Sequence, residues 1–176
     1  AAEVAKILLD VRAVSINTAN PYVYASGTIS PIYCDLRLLM SASRERDRIV
    51  EMLTSAITQT VGHDQVDVIA GVATAGIPWA AWIARALNLP LAYVRDSPKE
   101  HGTHQQIEGG VQPGQRAWVI EDLTSTGASS ITAALAMREQ GAIVDYCCSI
   151  FTYGFRGAEQ AFARQRINQV ALCSIS

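Results

Sequence analysis

The chain has 176 residues and a formal net charge of −2, with 49% apolar and 17% charged residues. That length fits one domain with its own core, and the charge balance excludes the broad basic field of a nucleic-acid binder. No apolar run is long enough to span a membrane, and AAEVAKILLDVRAV carries charges through its apolar part, so neither a membrane span nor a secretory leader is expected.

In chain order, Val4, Ile7, Leu8 and Val11 recur at helical spacing and predict a helix ending near Ser15. YVYASGTISPIYCDLR is aromatic and β-branched, broken by Gly27 and Pro31, and predicts two short strands around a turn. SASRERDRIVEMLTSAITQTVG buries Ile49, Met52, Leu53, Ala56 and Ile57 on one helical face and stops at Gly62. VDVIAGV is a continuous apolar run, as in a strand covered on both faces. After TAG, IPWAAWIARALNL predicts a helix with Pro78 in its first turn. LAYVR is a strand, and DSPKEHGTHQQIEGGVQPGQ a long polar loop. RAWVIEDL (strand), SITAALAMREQG (helix), IVDYCCSIFTY (strand), AEQAFARQRI (helix) and QVALCSI (strand) complete the chain. Strands alternating with helices predict an α/β fold with a central, mostly parallel sheet flanked by helices. Cys34, Cys147, Cys148 and Cys173 form neither a CxxC pair nor zinc spacing, and are expected to be reduced thiols of a cytoplasmic protein.

Parallel sheets bind ligands at the carboxyl ends of their strands, and three segments there have unusual chemistry. In VIEDLTSTGASS, small residues from Thr124 to Ser129 precede a helix, so backbone N–H groups, hydroxyls and the helix dipole can surround a phosphate. Glu121 and Asp122 would repel that phosphate and should face sugar hydroxyls, a metal ion or a developing cation. The same letters also describe an ordinary turn from strand to helix. Thr74, Ala75 and Gly76 in GVATAGIPWA form a second such turn, again either an anion cradle or a plain connection. RDSPKEHGTHQQIEGG gathers Arg95, Lys99, His101 and His104 between glycines, as suits either a cationic loop that closes over a polyanion or an idle surface loop.

Together these segments resemble a known family. VIEDLTSTGASS is similar to the phosphoribosyl-diphosphate signature of type I phosphoribosyltransferases. RDSPKEHGTHQQIEG resembles the catalytic loop of orotate phosphoribosyltransferases, and YASGTISPIYCDLR their N-terminal hood segment. DVIAGVATAGIPWAAWIA and SIFTYGF resemble the same subfamily, and the likeness runs from about Ala5 to Ser174. It implies the type I phosphoribosyltransferase fold over 1–176 as a single domain, with a small N-terminal hood at about 15–40 and a closing helix beyond the present end.

The resemblance also implies an activity: orotate and phosphoribosyl diphosphate (PRPP) become orotidine 5′-phosphate and diphosphate, with Mg2+, in pyrimidine biosynthesis. It places the 5′-phosphate on Thr124, Ser125, Thr126, Gly127, Ala128 and Ser129, and the ribose hydroxyls on Glu121 and Asp122, with Asp122 the candidate contact to the metal. It places the diphosphate along Thr74, Ala75 and Gly76, and gives Arg95, Lys99, His101 and Asp122 the catalytic roles. Orotate would meet Ser26, Gly27, Ser30, Pro31 and Tyr33 of the hood, together with Ser125 and a cation, Arg156 or Arg37. It implies a homodimer in which loop 95–110 reaches the neighbouring active site. Three departures stand out: Asp96 and Ser97 where a further lysine is common, Ala25, Thr28 and Ile29 where the hood commonly carries a cation, and Tyr153 where some members carry an arginine. A PRPP-binding regulator, or a transferase for another base, shares the fold and signature. Lys99 and His101 speak against the first and the hood against the second.

Overall fold

Helix α1, Ala2–Asp10, opens the computed structural model, which describes residues 1–23, 29–96 and 106–175. The helix stops five residues earlier than its apolar spacing predicts. Arg12 adopts a left-handed φ of 58°, and the β-branched Val14 and Ile16 lie instead in strand β1, Val14–Ile16. Strand β2 (Tyr22–Val23) pairs antiparallel with β3 (Ile29–Ser30), and β4 (Ile32–Cys34) pairs antiparallel with β1. The expected hood segment therefore holds three short strands rather than two, because Pro31 separates β3 from β4. A 3₁₀ turn at Leu36–Ser41 leads into α2, Ser43–Val61, which is followed by Gly62 as the sequence predicts. The chain forms two compact units, 1–49 and 50–176, with the boundary inside α2.

The second unit is built on a six-stranded sheet. Its strands are β5 (Val68–Val72), β6 (Leu91–Val94), β7 (Ile107–Glu108), β8 (Arg116–Thr124), β9 (Ile143–Thr152) and β10 (Asn168–Ser174), in the order β10-β9-β8-β5-β6-β7. Every neighbour pair is parallel except β6 with β7. The sheet is mostly parallel, as the alternation of elements predicts. The long polar loop is not wholly irregular, however: Tyr93 pairs with Glu108 and Val94 with Ile107, so the chain returns as a short edge strand.

Helices α3 (Gly76–Leu87), α4 (Ala128–Glu139) and α5 (Arg156–Arg164) connect the parallel strands. All five β5 residues are buried, as expected of a strand covered on both faces. Ala70, Val119, Cys147, Met137 and Phe162 share one apolar cluster, and Trp118 stacks on Tyr146 with ring centroids 4.5 Å apart. All four cysteines are free, and burial pushes the Cys148 thiol up to about 12, which leaves it inert.

The first turn of α3 lies directly on β8. A Cβ at Gly76 would stand 2.4 Å from the Ile120 carbonyl oxygen, a backbone atom with no room to retreat. Gly76→Ala should therefore lower the unfolding free energy by at least about 2 kcal/mol in urea titrations. A change within about 0.5 kcal/mol would show that this contact is not held in solution.

Candidate active site

The carboxyl ends of β5, β6, β8 and β9 meet at one rim of the sheet, and the turns that follow them carry most of the candidate residues. Strand β8 delivers Glu121 and Asp122 to this rim. Glu121 is only 8% exposed, and its carboxylate accepts from the Asp122 N–H at 3.3 Å. Asp122 in turn accepts from the Leu123 N–H at 2.8 Å. Burial first, and then the adjacent Asp122 charge, push the Glu121 carboxyl far above its ordinary range, to about 9. Asp96 adds a smaller push in the same direction. The apo site thus keeps Glu121 neutral next to a partly buried acid, an arrangement that a cation or a row of hydroxyl donors would relieve.

Beyond the acids, Thr124 is buried and its hydroxyl donates to Ser149 Oγ at 3.1 Å, so it is committed inside the sheet. Ser125, Thr126, Ala128 and Ser129 are exposed. Gly127 precedes α4 with φ 78°, and no side chain caps the helix; the approach of the Thr126 hydroxyl to the Ala128 N–H is long, at 3.5 Å. The first N–H groups of α4 therefore remain available to an anion. Gly127 also has a packing role that its sequence context does not reveal. A Cβ there would come within 2.6 Å of the Phe162 ring of α5, so the tight turn is held from behind by the core.

At the end of β5, the Ala73 N–H donates to the Val94 carbonyl at 2.8 Å, Thr74 is exposed, and the Ala73–Thr74 peptide is cis. Ala75 precedes α3, which also lacks a side-chain cap. Gly76 is committed to the contact with β8 and presents little to a ligand. Thr74, Ala73, Ile77, Tyr93, Arg95 and Asp96 line a cavity of about 320 Å³. A second cavity of about 300 Å³ has Arg95 and Asp96 on one side and Ala128, Ser129 and Thr132 of α4 on the other. Arg95 thus stands between the two helix-opening turns. Its guanidinium faces Glu108 at 3.8 Å, and its backbone is clamped by Gln106: the Arg95 N–H donates to the Gln106 carbonyl, and Gln106 Nε2 donates to the Arg95 carbonyl, both at 2.9 Å.

Lys99, His101, His104, Ser97, Ser26, Gly27, Ala25 and Thr28 lie outside the described residues. In the first unit, the Ser30 hydroxyl is engaged with both backbone groups of Ile32, and Tyr33 packs on Tyr22 at 5.3 Å. Arg37 is held by a fork on Asp35, Nε to Oδ1 at 2.7 Å and Nη2 to Oδ2 at 3.1 Å. In the second unit, Arg156 is exposed and opens α5 just after β9, where Tyr153 stacks on Phe155 at 5.3 Å. Gln106, Glu108 and Phe162 are the residues the sequence reading passes over. The first two become visible only once the chain is seen to double back along β6. Phe162 could have been found from the helical spacing of Ala158 and Phe162.

A parallel sheet with two uncapped helix openings at its rim and an acid pair between them is the architecture of a phosphoribosyl-handling domain. A family model for the phosphoribosyl transferase domain matches residues 41–167. Over 172 residues the chain is 49% identical to the orotate phosphoribosyltransferase of Coxiella burnetii, covering 98% of this chain and 81% of that protein. It is 46% identical to the orotate phosphoribosyltransferase of Bacillus subtilis over 169 residues, 96% of this chain and 77% of that one. The crystal structure of orotate phosphoribosyltransferase from Aeropyrum pernix superposes with a TM-score of 0.85 at 31% identity, covering 98% of this chain and 93% of that one. The chain belongs to the orotate phosphoribosyltransferase family.

The state of Glu121 has a consequence for stability. Its folded-state value, about 9, lies above the ordinary 4.5, so the folded chain holds this proton more tightly than the unfolded chain. The contribution is present in full below about 4.5 and is lost as pH rises towards about 9. Glu121→Gln has no proton to lose. Its stability advantage over the wild type should widen with pH, by at most about 1.4 kcal/mol per pH unit. Urea unfolding at about pH 5 and about pH 8, near the two ends of that window, measures it. Parallel pH profiles for the two proteins would show that Glu121 is ionised in the folded chain.

Proposed function

We propose that the chain transfers the phosphoribosyl group of PRPP to orotate, giving orotidine 5′-phosphate and diphosphate. The observation that carries this reading is the uncapped start of α4, one short turn beyond Glu121 and Asp122 at the rim of the sheet. The 5′-phosphate lies on the N–H groups and hydroxyls of 125–129, and the ribose hydroxyls meet Glu121 and Asp122. The diphosphate runs along Thr74 and Ala75, where the loop that begins at Arg95 reaches it from the neighbouring chain. Lys99 and His101 join it on the strength of the family resemblance.

Departure of diphosphate leaves positive charge on the sugar ring and negative charge on the leaving oxygens. Arg95 interacts more strongly with the leaving group as that charge grows, which lowers the barrier. The acid pair favours a ring carrying positive charge, and Asp122 needs no proton transfer to do so. The donor set suits a magnesium ion that arrives with the substrate. Two neighbouring carboxyls are available, and among the described residues no group of three His, Cys, Asp or Glu could hold an ion by itself. When bound, magnesium supplies charge neutralisation on the diphosphate. Arg156 is the better partner for the orotate carboxylate, because Arg37 is already forked on Asp35. The region 15–40 serves as the hood of a single phosphoribosyltransferase domain. The working unit is a homodimer in the cytoplasm, with loop 95–110 completing the neighbouring site; among the described residues no helix is long and apolar enough to cross a membrane.

Purified protein with magnesium and PRPP should consume orotate, seen as a loss of its ultraviolet absorbance. Turnover with a purine base in place of orotate would remove the substrate assignment, and tight binding of PRPP without turnover would make the chain a regulator. Lys99→Ala should lower the rate by about 10²–10³-fold, the loss typical of one donor to a developing anion, while orotate affinity changes far less. Small and equal effects on both would remove Lys99 from the chemistry.

A further inference from the structure

Arg95 does not wait free in the cleft. It lies just past the end of β6, two residues beyond Tyr93, which is paired across the strands with Glu108, and its N–H bond to the Gln106 carbonyl continues that pairing by one step. Side chains two apart on a strand share a face, so Arg95 and Glu108 become diagonal neighbours on one side of the β6–β7 pair. Their charged groups stand 3.8 Å apart, close enough to attract and too far for a hydrogen bond. Gln106 makes this placement reproducible, since its backbone and side chain together hold both backbone groups of Arg95. The face in question also carries the cavity lined by Thr74, Ile77 and Tyr93, where the anion-binding turn after β5 opens.

We propose that Glu108 is a positioning residue for Arg95: its carboxylate holds the guanidinium in the absence of substrate and yields it to the diphosphate group when substrate binds. The inference rests on the proposed function, in which the loop that begins at Arg95 meets the diphosphate of the neighbouring site. A partly exposed pair whose charged groups stand too far apart to hydrogen-bond is weakly held and easily exchanged. A diphosphate brings more charge and can accept from two guanidinium N–H groups at once. The β7 strand accordingly does more than close the sheet edge, because it carries the acid with which the substrate competes.

The test is calorimetric titration of magnesium diphosphate into the wild type, Glu108→Gln and Glu108→Asp, with KM for PRPP and kcat measured alongside. Glu108→Gln removes the charge. Glu108→Asp keeps it but draws the carboxylate back by one methylene, out of reach of Arg95. Both variants should bind diphosphate about two- to fivefold more tightly and show a lower KM for PRPP, with kcat altered less. Unchanged or weaker binding in Glu108→Gln overturns the proposal. Tightening in Glu108→Gln but not in Glu108→Asp also overturns it, because the general field of the acid would then be the cause. If the wild type consumes orotate and neither variant tightens, the placeholder role fails while the function stands. If the wild type neither binds diphosphate nor consumes orotate, the functional reading fails and takes the proposal with it.

Discussion

Parallel pairing of β5 with β8 is the constraint on which the site depends. With Ile69 beside Trp118 and Gly71 beside Ile120, the two strands run to the same edge of the sheet, β8 continuing past the end of β5 to Thr124, and each is followed by a turn into a helix. Parallel neighbours deliver their helix N-termini to one edge, so two sets of unmatched N–H groups and two positive dipole ends face the same solvent space. Gly76 allows α3 to lie against the Ile120 carbonyl, which fixes the separation of the two turns. A substrate with a phosphate at each end matches this arrangement, and the acids at the end of β8 fall between the two anion positions.

The rim has a balanced electrostatic design. Glu121 is neutralised by burial and by its neighbour, which keeps the acid pair from carrying full repulsion into the phosphate turn. Arg95 faces Glu108 across the β6–β7 pair at 3.8 Å. Arg95, which must meet the substrate, is thus held by a weak internal partner. That favours exchange over permanent structure, as expected of groups whose strongest interactions belong to the transition state.

Much of this was legible in the sequence. Strand β5 is a continuous apolar run because both of its faces are covered, and the alternation of strand-like and helix-like segments after it marks a parallel sheet. The acid pair and the two small-residue turns could be named as site candidates for the same reason, since unusual chemistry stands out at the end of an apolar strand. What could not be read depends on contacts distant in sequence. Val14–Ile16 continues an apolar helical spacing and becomes a strand only because β4 is there to pair with it. The two residues of β7 have no strand signal of their own and owe their conformation to β6. Gly76 and Gly127 look like residues kept small for a ligand, whereas the Ile120 carbonyl and the Phe162 ring are what exclude a side chain at those positions.

The central claim is that the open turn before α4 captures the phosphate of a sugar whose hydroxyls face Glu121 and Asp122. A crystal structure with ribose 5-phosphate tests it most directly. The account predicts phosphate oxygens on the N–H groups of 126–129 and ribose hydroxyls within hydrogen-bonding distance of the acid pair. A sugar phosphate bound elsewhere, or none in this turn at saturating concentration, would contradict it.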